Sequence, residues 1–177
     1  MRRLPGVVIG IVKDLADPMG EGRIQVDFPW LSGEQRSGWA PVASPLAGSQ
    51  RGMFFMPEPE EEVLVAFEHG DVDHPFIVGL LWNGRDRPPE TNPKNRVILT
   101  PGGHTLRFED QDGAKKIVLR SSGGHELVLD DSPTGQAITV QTPGRLSLTL
   151  DDKAGGSITL QGGGRMLRMQ GGQLLIT

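Results

Sequence analysis

The stretch EHGDVDHP, residues 68–75, puts two histidines and three acidic residues into eight positions. Imidazole and carboxylate at such density are the donors of a catalytic zinc site, which needs three or four convergent ligands with further groups to orient them. His69 and His74 stand five apart, so in extended chain they point to opposite faces. Gly70 and Asp71 before Pro75 read as a turn in which Asp71 and Asp73 accept from backbone N–H groups. The expectation is a turn, with no metal held there.

Other candidates thin out in the same way. His104 and His125 each follow a glycine at equivalent points of a repeat. In an oligomer they could ring an axis around an ion, but Arg145 at about the third such place breaks the pattern and favours surface histidines. The pairs Glu109-Asp110, Asp130-Asp131 and Asp151-Asp152 lack the G-G-x-G-x-D spacing of calcium-binding β-rolls and read as a solvated corner. PGGH (101–104) and QGGGRM (161–166) are glycine-rich without the helix start or Lys-Ser/Thr of a phosphate cradle. There is no GxSxG elbow and no cysteine. No catalytic, metal or cofactor residue is expected, and the chain reads as a non-enzyme.

Composition bounds what remains. The 177 residues include 25 Gly and 14 Pro, carry a net charge of -4, and no stretch approaches the 18 apolar residues of a membrane span. Trp30, Trp39 and Trp82 could stack single-stranded nucleic acid on a small barrel, but the acidic first half opposes phosphate. No nucleic-acid partner is expected.

The chain has two grammars. All aromatics but Phe108 precede residue 90, and GRDRPPETNPKN (84–95) reads as a connector. Before it, VVIGIV (7–12), RIQVDF (23–28), WAPVAS (39–44), EVLVAF (62–67) and PFIVGL (75–80) are separated by turn residues, which suits a closed OB or SH3-like barrel. After it, units of 20–21 residues align Phe108, Leu129 and Leu150, and Ile117, Ile138 and Ile158. The division expected is a barrel over 1–90, a linker over 91–95 and a β-helix over 96–177.

In the repeat the inward positions are Leu106, Phe108, Ile117, Leu119, Leu127, Leu129, Ile138, Val140, Leu148, Leu150, Ile158 and Leu160. Arg107, Lys116, Glu126, Thr139, Thr149 and Thr159 point outward, with Val128 the exception. One apolar stripe on one chain does not offset the ordering entropy of so many Gly and Ser residues. Three copies wound about one axis would bury it, so an obligate homotrimer is expected, with these twelve residues as its core. The last segment, Leu174, Leu175, Ile176 and Thr177, would leave a blunt apolar tip that calls for a cap.

The succession GRIQVDFPW (22–30), GWAPVASPLAG (38–48) and GMFFMPEPEEEVLVAFEHGDVDHPFIVGLLWN (52–83), followed by the β-repeat, resembles the spike proteins of contractile injection systems. These are the phage baseplate assembly protein V and valine-glycine repeat spikes, and the resemblance covers residues 5–177. Glu60-Glu61 stands where that family often has Gly-Asp. The resemblance implies an all-β fold, an OB barrel continued by an intertwined triple-stranded β-helix. It implies a structural spike that docks on a separate hub protein at the barrel end, carries a PAAR-type tip protein at the C-terminal end, and crosses a target membrane transiently. It also implies synthesis in the bacterial cytoplasm and assembly into a contractile particle, and no lysozyme activity. The alternatives are a β-solenoid adhesin-type module and an OB-fold nucleic-acid binder.

Overall fold

The structure, a computed structural model, describes residues 3–32 and 36–177. It is all-β apart from two single 3-10 turns, Glu68–Gly70 and Lys153–Gly155. It divides into two compact units, the first ending at Arg87 and the second running Pro88–Thr177.

The first unit is a nearly closed barrel. Its strands are β1 (Val7–Asp14), β2 (Arg23–Asp27), β3 (Ala40–Pro41), β4 (Ala47–Gly48), β5 (Arg51–Gly52), β6 (Glu62–Phe67) and β7 (Pro75–Leu80). The sheet order is β3-β2-β1-β6-β7, and a parallel bridge from Val42 to Ile77 brings the two edges together. The Ala43 N–H donates to the Ile77 carbonyl at 2.8 Å across that closure. Strict alternation sends one side chain in two inward, so Val12, Ile24, Val26, Ala40, Val63 and Val65 are wholly buried, with Phe28, Phe67 and Ile77 beside them. Irregular register at Val12/Asp14 and at Leu64/Val65 supplies the bends that curve the sheet. Gly10 on β1 is a packing requirement, since a Cβ there would meet Val65 at 3.0 Å and Val26 at 3.1 Å.

The loop entering β2 is held by Asp17. Its carboxylate accepts from Arg23 Nη2 at 2.8 Å and from the N–H groups of Met19 and Glu21. Those bonds, Arg23 first, hold Asp17 well below the usual carboxylate range.

The second unit is a nine-stranded antiparallel meander: β8 (Asn95–Leu99), β9 (Thr105–Glu109), β10 (Lys116–Arg120), β11 (Glu126–Asp130), β12 (Ala137–Gln141), β13 (Ser147–Asp151), β14 (Ser157–Gly162), β15 (Arg165–Gln170) and β16 (Gln173–Ile176). Every strand pairs with its neighbours in sequence, so the ladder closes within the chain, leaving only the outer edges of β8 and β16. The intertwining expected from the resemblance is not visible in the single chain. Short hairpin loops leave each strand's neighbour in sequence as its nearest partner, which is the least entropic cost for closing a ladder.

The connector is not slack. Glu90 accepts from the N–H groups of Asn92 at 2.9 Å and Thr91 at 2.8 Å and from Asn95 Nδ2 at 2.8 Å. Arg107 Nη2 on β9 lies 2.7 Å from it. These partners, the Asn92 amide first, bring the Glu90 pKa down to about 2.

Candidate functional site

The EHGDVDHP stretch forms the β6–β7 connection. Asp71 N–H donates to the Glu68 carbonyl at 2.9 Å, His74 N–H to the Asp71 carbonyl at 3.0 Å, and Asp73 N–H to Asp71 Oδ1 at 3.1 Å. His69 sits in the left-handed region at φ 50°, and His74 Nδ1 approaches Asp71 Oδ2 at 3.4 Å. Asp71 closes the turn with its carboxylate, whereas Asp73, expected to accept from a backbone N–H as well, contributes its own N–H as a donor.

The distinctive surface is one face of the meander. Strands of five residues expose positions 2 and 4 on one side, and in-register pairing stacks these positions into columns. One column runs Phe108, Ile117, Leu129, Ile138, Leu150, Ile158, Met169 and Leu174, with Arg96 at its β8 end. The other runs Ile98, Leu106, Leu119, Leu127, Val140, Leu148, Leu160, Leu167 and Ile176. All twelve stripe residues expected from the repeat fall in these columns. Most stay substantially exposed, Leu119 by 52% and Leu160 by 54%.

Five column members were not expected as core. Ile98 precedes the first full repeat and Leu167 and Met169 follow the last, so the 20–21-residue alignment passed over them. Leu174 and Ile176 were expected only as part of a tip, yet their register continues the columns, while Leu175 faces the other side opposite Arg168. Thr177 exchanges both backbone hydrogen bonds with Met166.

The opposite face is polar at its margins. Lys116 Nζ lies 2.8 Å from Asp130 Oδ2, and that ammonium, with Ser132, lowers the Asp130 pKa to about 2. His104 and His125 lie at one margin, each exposed, after Gly103 and Gly124. The turns superpose by their bonding: Thr100, Ser121 and Thr142 each bond the residue four on, so Leu146 matches the histidines and Arg145 matches Gly103 and Gly124. Those glycines sit at φ 82° and 85°, and Arg145 adopts the same left-handed conformation at 62°.

The barrel also shows apolar groups to solvent. Phe54 is 79% exposed and Trp82 69%, with Phe55 and Met53 beside the β4–β5 hairpin. Trp30 donates its Nε1–H to the Ile9 carbonyl at 3.2 Å and tilts against Phe28, so it belongs to the barrel wall.

Residues 8–82 match the type VI secretion system/phage-baseplate injector OB domain. The chain is 34% identical over 128 residues to the type VI secretion system spike protein VgrG3 of Vibrio cholerae, a match over 62% of this chain and 13% of that protein. It is 37% identical over 110 residues to the actin cross-linking toxin VgrG1 of the same species, over 55% of this chain and 10% of that one. With the spike protein VgrG1c of Pseudomonas aeruginosa it shares 29% over 145 residues, 67% of this chain and 20% of the relative. The chain therefore spans between a tenth and a quarter of the length of these relatives.

Proposed function

We propose that the chain, whose residues 8–82 match an injector OB domain and which is similar to type VI secretion spike proteins, is a spike of a contractile injection system and works as a homotrimeric needle segment with no catalytic role. The observation that carries this reading is the pair of apolar columns, continuous over the meander and open to solvent in one chain. A half-exposed apolar side chain gains about 1 kcal/mol when covered, and twelve of the seventeen apolar column residues are more than a third exposed.

Ribbon width argues for three copies. Five residues at about 3.3 Å each span roughly 16 Å, and three ribbons of that width around an axis stand about 5 Å from it. That is half the spacing of about 10 Å at which sheets pack face to face. Four ribbons would leave a hollow centre, and two would leave their margins about 10 Å apart. The strands pair within the chain, so the trimer closes by packing faces, with no exchanged strands.

Such a prism has every internal ladder bond made, which suits a rod loaded in compression. The exposed Phe54, Phe55 and Trp82 support docking of the barrel on a hub. A tip protein would sit at β16, where Leu174 and Ile176 continue the columns and Leu175 is exposed on the other face. Driven by contraction, the needle would puncture a target envelope.

The test is the solution mass of the purified chain by light scattering over a wide dilution range. A species of about 57 kDa, three times 19.1 kDa, that persists on dilution is expected. A folded monomer would sink the reading.

A further inference from the structure

The meander's two margins carry opposite charge. Hairpin turns alternate between them, so the β9–β10, β11–β12 and β13–β14 turns share one margin. Seven of the eight carboxylates after residue 96 lie there, against Lys115, Lys116 and Lys153, with Lys94 and Arg96 paired to Asp112 and Asp110 at its β8 end. The other margin holds the β8–β9, β10–β11, β12–β13 and β14–β15 turns, with Arg120, Arg145 and Arg165 and a single acid, Glu126. Asp131 and Asp152 on the first margin and these three arginines on the second are exposed. Among the described residues none of the five has an ion-pair partner in its own chain, whereas Lys94, Arg96, Arg107 and Lys116 all do.

Height matters as much as sign. Turns on opposite margins are offset by one strand, about 4.8 Å. When copies are related by rotation alone, the β12–β13 turn of one stands level with the gap between the β11–β12 and β13–β14 turns of the next. That sets Arg145 between the neighbour's Asp131 and Asp152. Arg120 likewise falls between the neighbour's β9–β10 and β11–β12 turns.

Arg145 itself is a second, independent pointer. The equivalent turn positions use glycine, which adopts the left-handed conformation without cost, while an arginine there is strained. Its backbone N–H donates to the Thr142 carbonyl at 3.1 Å, but a strained, exposed cation whose guanidinium has no partner among the described residues directs attention to something outside the chain.

We propose that the corners of the trimer are ionic seams, the acidic margin of each copy docking against the basic margin of the next. The partner is a second copy of this chain, met head to tail around a closed ring. The seam rests on the three-chain reading and adds to it what the apolar columns cannot specify. Apolar faces pack without direction, whereas complementary margins fix which edge meets which and at what height.

A charge swap tests this on the full chain. One variant carries Asp131→Lys and Asp152→Lys, a second Arg120→Glu and Arg145→Glu, and a third all four. All four sites are exposed, so the meander itself should survive, and circular dichroism checks that. In low salt each two-site variant should need a chain concentration on the order of tenfold higher, or more, to stay trimeric. The four-site variant should return to near the unsubstituted value, and salt at 1 M should compress all the differences. A trimer indifferent to the two-site changes, or a four-site variant weaker than both, overturns the seam and leaves the three-chain reading standing. An unsubstituted chain that is monomeric overturns both.

Discussion

The barrel and the meander use the same alternation of apolar and polar residues, yet only the barrel is complete in one chain. In the barrel, Val12, Ile24, Val26, Val63 and Val65 have no exposed surface, because the sheet curls until its inner face meets itself. In the meander the same pattern lies on an uncurled ribbon, and Leu119, Leu160 and Met169 remain at least half exposed. Curvature separates the two. The barrel has two register irregularities, a bridged edge pair and Gly10 where its strands crowd. The meander pairs residue for residue through strands β8 to β16 without a bulge. A regular ribbon cannot bury its own face, so its core has to be assembled from other chains.

The comparison is broken most strongly by one substitution in each unit, a charge in the meander and a truncation in the barrel. Leu150→Glu places three carboxylates around the proposed axis, where unpaired charge is very costly, and should abolish the trimer while leaving the barrel folded. Val65→Ala in the barrel should cost about 2 kcal/mol, as a cavity does where a β-branched side chain is truncated, and should leave the mass unchanged. Its effect on the denaturant midpoint should not depend on chain concentration, whereas the repeat's midpoint should. Equal concentration dependence for both units would erase the distinction.

Most of this architecture was legible beforehand. Segments at 7–12, 23–28, 62–67 and 75–80 became β1, β2, β6 and β7 because alternation with bounding turns is a local signal. WAPVAS was legible as a strand only at Ala40–Pro41, since Pro41 removes a ladder donor and the chain there serves to bridge the barrel edge. The β4–β5 hairpin, two residues a side and bearing no alternation, gave no signal. In the repeat, periodicity revealed the twelve central column residues. It was silent at Ile98, Leu167 and Met169, where units are incomplete and only register identifies the face. The charge of the margins was visible as acidic pairs, but their meaning depends on which turns share an edge, and that requires the meander.

Acid should act on both units, through different groups. Asp130 and Glu90 in the second unit titrate near 2 in the folded chain, below their ordinary range. A depressed carboxylate contributes stability that is fully present above its unfolded pKa and is lost as pH falls through the folded value. Support for the meander's acidic margin and for the connector should therefore fade as pH drops from about 4 toward 2. In the barrel, Asp17 lies lower still, so its loop should outlast them. Glu90→Gln should remove part of the pH dependence of the repeat and none of the barrel's, read by following tryptophan fluorescence for the barrel, where all three tryptophans lie, and far-ultraviolet dichroism for the whole chain. A common acid midpoint unchanged by the substitution would count against this assignment.

The smallest expected effect is the most discriminating, because its sign depends on salt. Arg145→Gly releases a left-handed residue worth about 1 kcal/mol of strain, and within an isolated chain it should only stabilise. If Arg145 lies between two carboxylates of a neighbouring copy, the same substitution removes attraction at three corners of the assembly. At low ionic strength that loss should offset or exceed the relief of strain, and the trimer's thermal midpoint should stay level or fall. In 1 M salt, where the screening length shrinks to about 3 Å, only the relief of strain remains and the midpoint should rise. The barrel has a matching control in His69, also left-handed at φ 50° in a turn. His69→Gly should stabilise the barrel at both salt concentrations, because its turn is closed by bonds within the chain. A salt-dependent sign at Arg145 beside a constant sign at His69 would show that strain in the barrel serves a turn, while strain in the meander serves a contact between chains.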